Sequence, residues 1–201
     1  MTARFLQTMF TPSVKAAQSR YGSRGPYSRF DDVPTEPDVL TEREAAFISE
    51  RDSFYLATVT ETGWPYVQFR GGAPGFVKAL NPRLLGFADF RGNRQYVSVG
   101  NLAADNRAAL FFMDYPSRTR LKLIGRLSVR AVEEAQDLTS LLVDPDYKAE
   151  VERLVVIEVE AFDWNCPQHI TPRFTHVEIA PMIEALKARI AALEAELAER
   201  S

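Results

Sequence analysis

Ser53-Phe54-Tyr55-Leu56-Ala57-Thr58-Val59-Thr60 and Trp64-Pro65-Tyr66-Val67-Gln68-Phe69-Arg70 flank the short connector Glu61-Thr62-Gly63. Both flanks are rich in β-branched and aromatic residues, and the connector carries a glycine, so the segment predicts a β-hairpin. Outward from it, Leu84 to Phe90 and Arg107 to Met113 read as two more strands, with a short helix within Asn93 to Asn101. From Arg120 to Ala131 the alternation is clean. Leu121, Leu123, Gly125, Leu127, Val129 and Ala131 share one face; Arg120, Lys122, Ile124, Arg126, Ser128 and Arg130 share the other. A helical stretch, Glu133 to Val143, precedes a further strand at Leu154 to Phe162. Six strands with few helices predict a mainly β (α+β) fold, a small antiparallel barrel with peripheral helices.

The flanking regions read differently. Residues 1–40 form an expected N-terminal arm and connector. Arg4, Lys15, Arg20, Arg24 and Arg29 precede the first acid, Asp31, which is the composition of an organelle transit peptide, but Phe5, Met9, Phe10 and Val14 supply apolar anchors. The arm is therefore expected to lie on the folded body and to remain in the mature protein. Thr41 with Glu44 makes a capping-box pattern that opens the barrel region, residues 41–179. Residues 180–201 predict an amphipathic C-terminal helix from Pro181, with Ile183, Leu186, Ile190, Leu193 and Leu197 at 3-4-3-4 spacing. Such a stripe can pack on its own domain or pair with a second chain.

With 201 residues, 46% of them hydrophobic, the chain can bury one sizeable core. Its formal charge of −3 offers no general attraction to nucleic acid or to an anionic membrane, and no apolar run reaches the length of a membrane span. Cys166 is the only cysteine, so an intrachain disulfide is impossible and a cytoplasmic setting is expected. Cys166, His169 and His176 lack the paired spacings of a zinc site, so no metal is expected, and Cys166 beside Pro167 has no helix N-terminus to make it a thiolate. His169 is either a hydrogen-bonding residue at a ligand's edge or a structural histidine. Gly71-Gly72-Ala73-Pro74-Gly75 lacks the Gly-Lys-Ser/Thr ending of a P-loop.

The chemistry-bearing pattern is a pair of segments, Gln68-Phe69-Arg70-Gly71-Gly72 and Gly92-Asn93-Arg94-Gln95, each directly after an apolar strand. Arginine offers a planar charged fork to two phosphate oxygens, and glycines permit positive φ and close backbone approach. This combination predicts a phosphorylated cofactor at the barrel mouth.

Four ordered blocks carry a resemblance. They are Gly63 through Gly72, Phe87-Ala88-Asp89-Phe90-Arg91-Gly92-Asn93-Arg94-Gln95, Asn106 through Gly125, and Trp164 through Arg173. Over Leu40 to Phe174 the chain resembles the pyridoxamine 5′-phosphate oxidase-like family of FMN-binding split β-barrels. The resemblance implies a six-stranded antiparallel split β-barrel and FMN as cofactor. It places Arg70, with Gln68, Gly71 and Gly72, at the FMN phosphate, and Phe87, Ala88, Asp89, Asn93, Arg94 and Gln95 along the ring and phosphate. Arg120 and Lys122 become candidates for the ring's polar edge, where a cation stabilises reduced flavin. Trp164 and Arg173 would close the site from the other subunit of a homodimer with its cofactor sites at the interface, and Gln168 is a further cofactor-binding candidate. The implied activity is hydride transfer between FMN and a small-molecule substrate; the alternative is a non-catalytic flavin- or haem-binding sensor or carrier. Ala88, Gln95 and Arg120 stand where the oxidases proper commonly carry Thr, Lys and Gln, and their Arg-x-His pair is absent. These departures imply a relative with its own substrate rather than the vitamin B6 enzyme.

Overall fold

The structure, a computed structural model, describes residues 2–164 and 167–200. Its helices are α1 (Ala3–Met9), α2 (Pro12–Arg20), α3 (Arg24–Ser28), α4 (Glu42–Ser49), α5 (Val97–Ala104), α6 (Gln136–Leu142) and α7 (His176–Glu199). The strands are β1 (Ser53–Val59), β2 (Pro65–Gly71), β3 (Lys78–Asn81), β4 (Leu84–Phe90), β5 (Arg107–Asp114), β6 (Thr119–Arg130) and β7 (Val151–Trp164). All seven strands join one sheet in the order β2-β1-β5-β6-β7-β4-β3, and every neighbouring pair is antiparallel. The fold is thus mainly β within the α+β class. Six strands coincide with the expected ones; the seventh, β3, is an edge strand of Lys-Ala-Leu-Asn, too short and too poor in β-branched residues to signal itself.

Interior contacts show how the sheet bends. Phe54 on β1 and Phe87 on β4 have ring centroids 5.4 Å apart, whereas the four strand spacings between them would be about 19 Å across a flat sheet. Phe76 and Phe112 complete the cluster around Phe54. The curled sheet encloses Leu56, Leu85, Leu110, Leu121, Leu123, Leu127 and Ile157, so the face of β6 expected to be apolar is the one that points inward. Gly125 permits a close approach at the register shift between β6 and β7, since a Cβ there would meet the Glu158 carbonyl oxygen at 2.4 Å. Edge strands β2 and β3 leave a split, and Arg70 on β2 spans it to pair with Asp89 on β4.

The hairpin turn forms as its sequence demands. Gly63 adopts φ 85°, its N–H donates to the Thr60 carbonyl at 2.8 Å, and the Trp64 N–H donates to the Thr60 hydroxyl at 3.0 Å. At the N-terminus, Thr2 caps α1 and its hydroxyl also donates to the Phe162 carbonyl at 3.0 Å, while Arg4 pairs with Glu160. Of the expected anchors, Phe5 is buried, along with Leu6; Met9 and Val14 are exposed. Phe10 instead makes an edge contact with Tyr27.

Helix α4 begins with the expected reciprocal capping box, and its Glu44 is buried. The Glu44 carboxylate also accepts a 2.7 Å hydrogen bond from Trp164 Nε1 at the end of β7, which ties helix to barrel. Burial works against the Glu44 charge, but the bonds from Thr41 and Trp164 outweigh it and hold the carboxyl below its usual range. A carboxyl depressed on folding contributes stability above its unfolded pKa and loses it as pH falls through the folded one. Glu44→Gln is expected to cost about 1–3 kcal/mol at neutral pH. Urea unfolding should show the gap between variant and wild type narrowing as the pH falls below the ordinary glutamate range and through the depressed folded pKa; a gap that stays constant would refute the assignment.

The C-terminal helix differs from expectation at its start. Thr175 and Glu178 form a second capping box, so α7 begins at His176 and contains Pro181 instead of opening with it. No residue of α7 is buried, so the barrel of the same chain does not cover its apolar stripe.

Candidate functional site

At the split of the barrel, the end of β2, the end of β4, the loop after it, the first turn of α5 and two positions of β7 enclose a cleft of about 190 Å³. Gln68 and Arg70 stand opposite Leu56 and Phe54 in the β1–β2 ladder, so their side chains share the inward face and emerge at this opening. The cleft gathers Gln68, Arg70, Asp89, Asn93, Arg94 and Gln95 from two well-separated stretches of sequence.

Arg70 pairs with the buried Asp89, whose second oxygen lies 3.4 Å from Arg153 Nη1. Burial pushes the Asp89 carboxyl above its usual range, against the pull of Arg70 and Arg153. Arg70 Nε is buried and has no hydrogen-bond partner, a donor left over for an anion. Ser98 Oγ donates to Gln68 Oε1 at 2.8 Å, and Asn101 Nδ2 donates to Thr58 Oγ1 at 2.9 Å, which fixes α5 against the barrel. The N-cap residue of α5, Tyr96, makes no side-chain capping bond, and Val97, Ser98 and Val99 of the first turn line the cleft. Those first-turn N–H groups carry the positive end of the helix dipole.

The connecting loop is held in an uncommon shape. Arg94 and Tyr96 both adopt left-handed backbone, φ 60° and 54°, which costs non-glycine residues on the order of 1–3 kcal/mol each. Arg94 Nε donates to the Tyr96 hydroxyl at 3.2 Å, and that hydroxyl donates to Glu152 Oε1 at 3.0 Å. Three guanidinium groups (Arg70, Arg94, Arg153), two carboxylates and an uncapped helix start therefore surround one small cavity. A terminal phosphate monoester matches this donor set.

Other expected residues lie elsewhere. Phe87 is buried in the barrel core and Ala88 on the other face of β4 with Leu142 and Leu154, and neither lines the cleft. Gly71 and Gly72 do not line it either, and neither they nor Gly92 has positive φ. Gly72 instead makes room for Phe76, whose Cγ would lie 2.6 Å from an added Cβ. Arg120 and Lys122 project from the outer face of β6, opposite to Arg70: Arg120 sits over the Phe111 ring, and Lys122 pairs with Asp163 at 2.5 Å. Trp164 packs edge-on against Phe47 beneath Arg43, and Arg173 lies over Tyr115. Gln168 lies in the turn before α7, outside the cleft. One chain does not bring these five to the phosphate-sized cavity. Cys166 lies outside the described residues; among the described residues no group of three His, Cys, Asp or Glu side chains is placed to hold a metal, and no helix is long and apolar enough to cross a membrane.

Tyr96, Ser98, Glu152 and Arg153 belong to the cleft, and the sequence patterns do not single them out. Tyr96 and Ser98 directly continue the Gly92-Asn93-Arg94-Gln95 segment, so extending that block would have found them. Arg153 arrives through the pairing of Asp89 with Arg153 between β4 and β7, which no local pattern announces.

The outer face of the sheet offers a second feature. An open groove of about 730 Å³ has a floor of Ala57, Val59, Ala109 and Ile124 and a wall from Gln7 and Met9 of α1. On the same side, Tyr55, Val67 and Phe69 are exposed, with Trp64 in the adjoining turn.

The family model for pyridoxamine 5′-phosphate oxidase matches residues 40–165, more than half of the chain. The chain belongs to this family. No curated protein matches it in sequence. Among solved structures, a candidate pyridoxamine 5′-phosphate oxidase from Lactobacillus delbrueckii is 20% identical, covering 64% of this chain and 99% of its own at a TM-score of 0.48. HupZ from Group A Streptococcus is 12% identical over 67% of this chain and 99% of its own, with a TM-score of 0.47. An FMN-binding protein from Syntrophomonas wolfei is 14% identical over 60% and 81%, with a TM-score of 0.44. The family's matched segment contains the whole phosphate-sized cleft described above.

Proposed function

We propose that this family member binds FMN and, as a homodimer, transfers hydride between the flavin and a small-molecule substrate. The observation that carries the reading is the cleft at the split, where Arg70 has a buried N–H without a partner and α5 presents an uncapped first turn. Arg70 and Arg94 would grip the terminal phosphate, with the first-turn N–H groups of α5 completing the cradle. Asp89 and Arg153 orient Arg70 and keep its guanidinium fixed at the opening. When bound, FMN supplies the redox chemistry, accepting or donating a hydride at its ring.

The homodimer is supported by the outer face of β1 and β2 and their turn, where Trp64, Val67 and Phe69 are 73%, 61% and 60% exposed. A contiguous apolar surface of this kind marks a contact site. By the family resemblance, a second copy would supply Trp164 and Arg173, which a single chain keeps away from the cleft.

Titration of the flavin-free protein with FMN, followed by quenching of flavin fluorescence, is expected to saturate at one FMN per chain. Protein that neither quenches nor takes up FMN would overturn the cofactor assignment. Stopped-flow mixing of the loaded protein with NADH or NADPH is expected to bleach the flavin absorption and then restore it in air. Tight FMN binding without such a cycle would retain the cofactor and reject the hydride-transfer role in favour of a carrier.

A further inference from the structure

Helix α7 runs for 24 residues with none of them buried, and it nevertheless carries a continuous apolar seam. The capping box at Thr175 carries the helix back to His176, which adds Ile179 to the stripe of Ile183, Leu186, Ile190, Leu193 and Leu197. In heptad terms Ile183, Ile190 and Leu197 occupy the a positions, and Ile179, Leu186 and Leu193 the d positions. Pro181 then falls at f, the position farthest from the seam, so its missing N–H and its ring face away from any helix lying there. Isoleucine at a with leucine at d is the combination that favours two parallel strands over three or four.

Charge agrees with that arrangement. The e positions are Ala180, Lys187 and Glu194; the g positions are Met182, Arg189 and Glu196. In a parallel pair each g residue faces the e residue of the next heptad on the other strand. Arg189 would meet the partner's Glu194, twice by symmetry, and Met182 would lie along the aliphatic stem of the partner's Lys187. No like charges oppose one another. The outward b, c and f positions are mainly Ala and Glu, suited to solvent.

We infer that α7 pairs with α7 of a second copy of this chain as a parallel, in-register two-stranded coiled coil. A seam of about three heptads is short for a free peptide, so pairing here gains from any other contact that holds two chains together. It requires no cofactor and is separable from flavin binding.

Cysteine cross-linking in the full chain tests it, with Cys166→Ser as background. Ile183→Cys and Leu193→Cys each face their own copy across a parallel seam, within disulfide reach, whereas Ala195→Cys at f does not. Under a mild oxidant, the first two are expected to give at least about tenfold more reducible dimer than the third. Adding Ile190→Asp, which places a charge in the seam, should abolish the Ile183→Cys cross-link while leaving FMN titration unchanged. Equal cross-linking at all three positions would overturn the inference. So would an Ile183→Cys chain that links only to Leu193→Cys chains, because that pattern means antiparallel strands.

Discussion

Arg70→Ala is expected to weaken FMN binding by about 100-fold or more, because truncating one member of a buried, hydrogen-bonded charge contact costs about 2–5 kcal/mol and each 1.4 kcal/mol is tenfold. Two effects combine. The variant loses the fork whose Nε is buried without a partner, and it leaves Asp89 with Arg153 as its nearest cation, so a buried carboxylate then faces the incoming phosphate. The double variant Arg70→Ala/Asp89→Asn separates them. If the arginine contact dominates, the double variant stays as weak as Arg70→Ala; if anion repulsion dominates, it recovers much of the affinity. Arg70→Lys should fall between, since an ammonium keeps the charge but cannot reproduce the planar fork. Fluorescence titration is the measurement, and an Arg70→Ala affinity within about threefold of wild type would refute a phosphate contact.

Phe54→Ala is expected to destabilise the fold by about 3–5 kcal/mol. Phe54 is 1% exposed and meets Phe76, Phe87 and Phe112, so it joins walls of the barrel that lie far apart in the sheet order. Its loss would open a cavity at the place where curvature is held, and the surrounding aromatic rings are too constrained to fill it. For a chain of this size the midpoint of thermal unfolding should drop by roughly 10 °C. A drop of under about 2 °C would mean that the barrel does not depend on this cluster. Because Arg70 stands opposite Phe54 in the β1–β2 ladder, the same variant should also loosen the cleft.

Much of the fold is legible along the chain because strands and helices write their periods locally. The alternation at Arg120 to Ala131 names the inner face of β6, the Thr41/Glu44 pair names the start of α4, and Gly63 names the turn. The missing strand, β3, has four residues and no alternation to read. The early start of α7 is hidden because Pro181 is an equally good first-turn residue, and the Thr175/Glu178 capping box decides between the two.

The candidate site divides along the same line. Arg70 and Arg94, with Gln68, Asn93 and Gln95 beside them, are readable as glycine-flanked arginine segments after apolar strands, and Asp89 is readable only through the family resemblance. Phe87 and Ala88 stand beside them in sequence, but strand alternation sends Phe87 into the barrel core and Ala88 to the opposite face of β4, where it is buried with Leu142 and Leu154. Gly71 and Gly72 look like phosphate-loop glycines, whereas Gly72 makes room for the ring of Phe76.

Local order along the chain dictates the elements, the inward faces and the two arginine segments, since each depends on residues within a few positions of one another. Long-range packing alone settles that the sheet closes until Arg70 meets Asp89, that Arg153 joins them, that the start of α5 faces their cleft, and that α7 remains outside the core. Those outcomes depend on contacts between residues tens of positions apart, where the gain from burying apolar surface, and not local propensity, selects the arrangement.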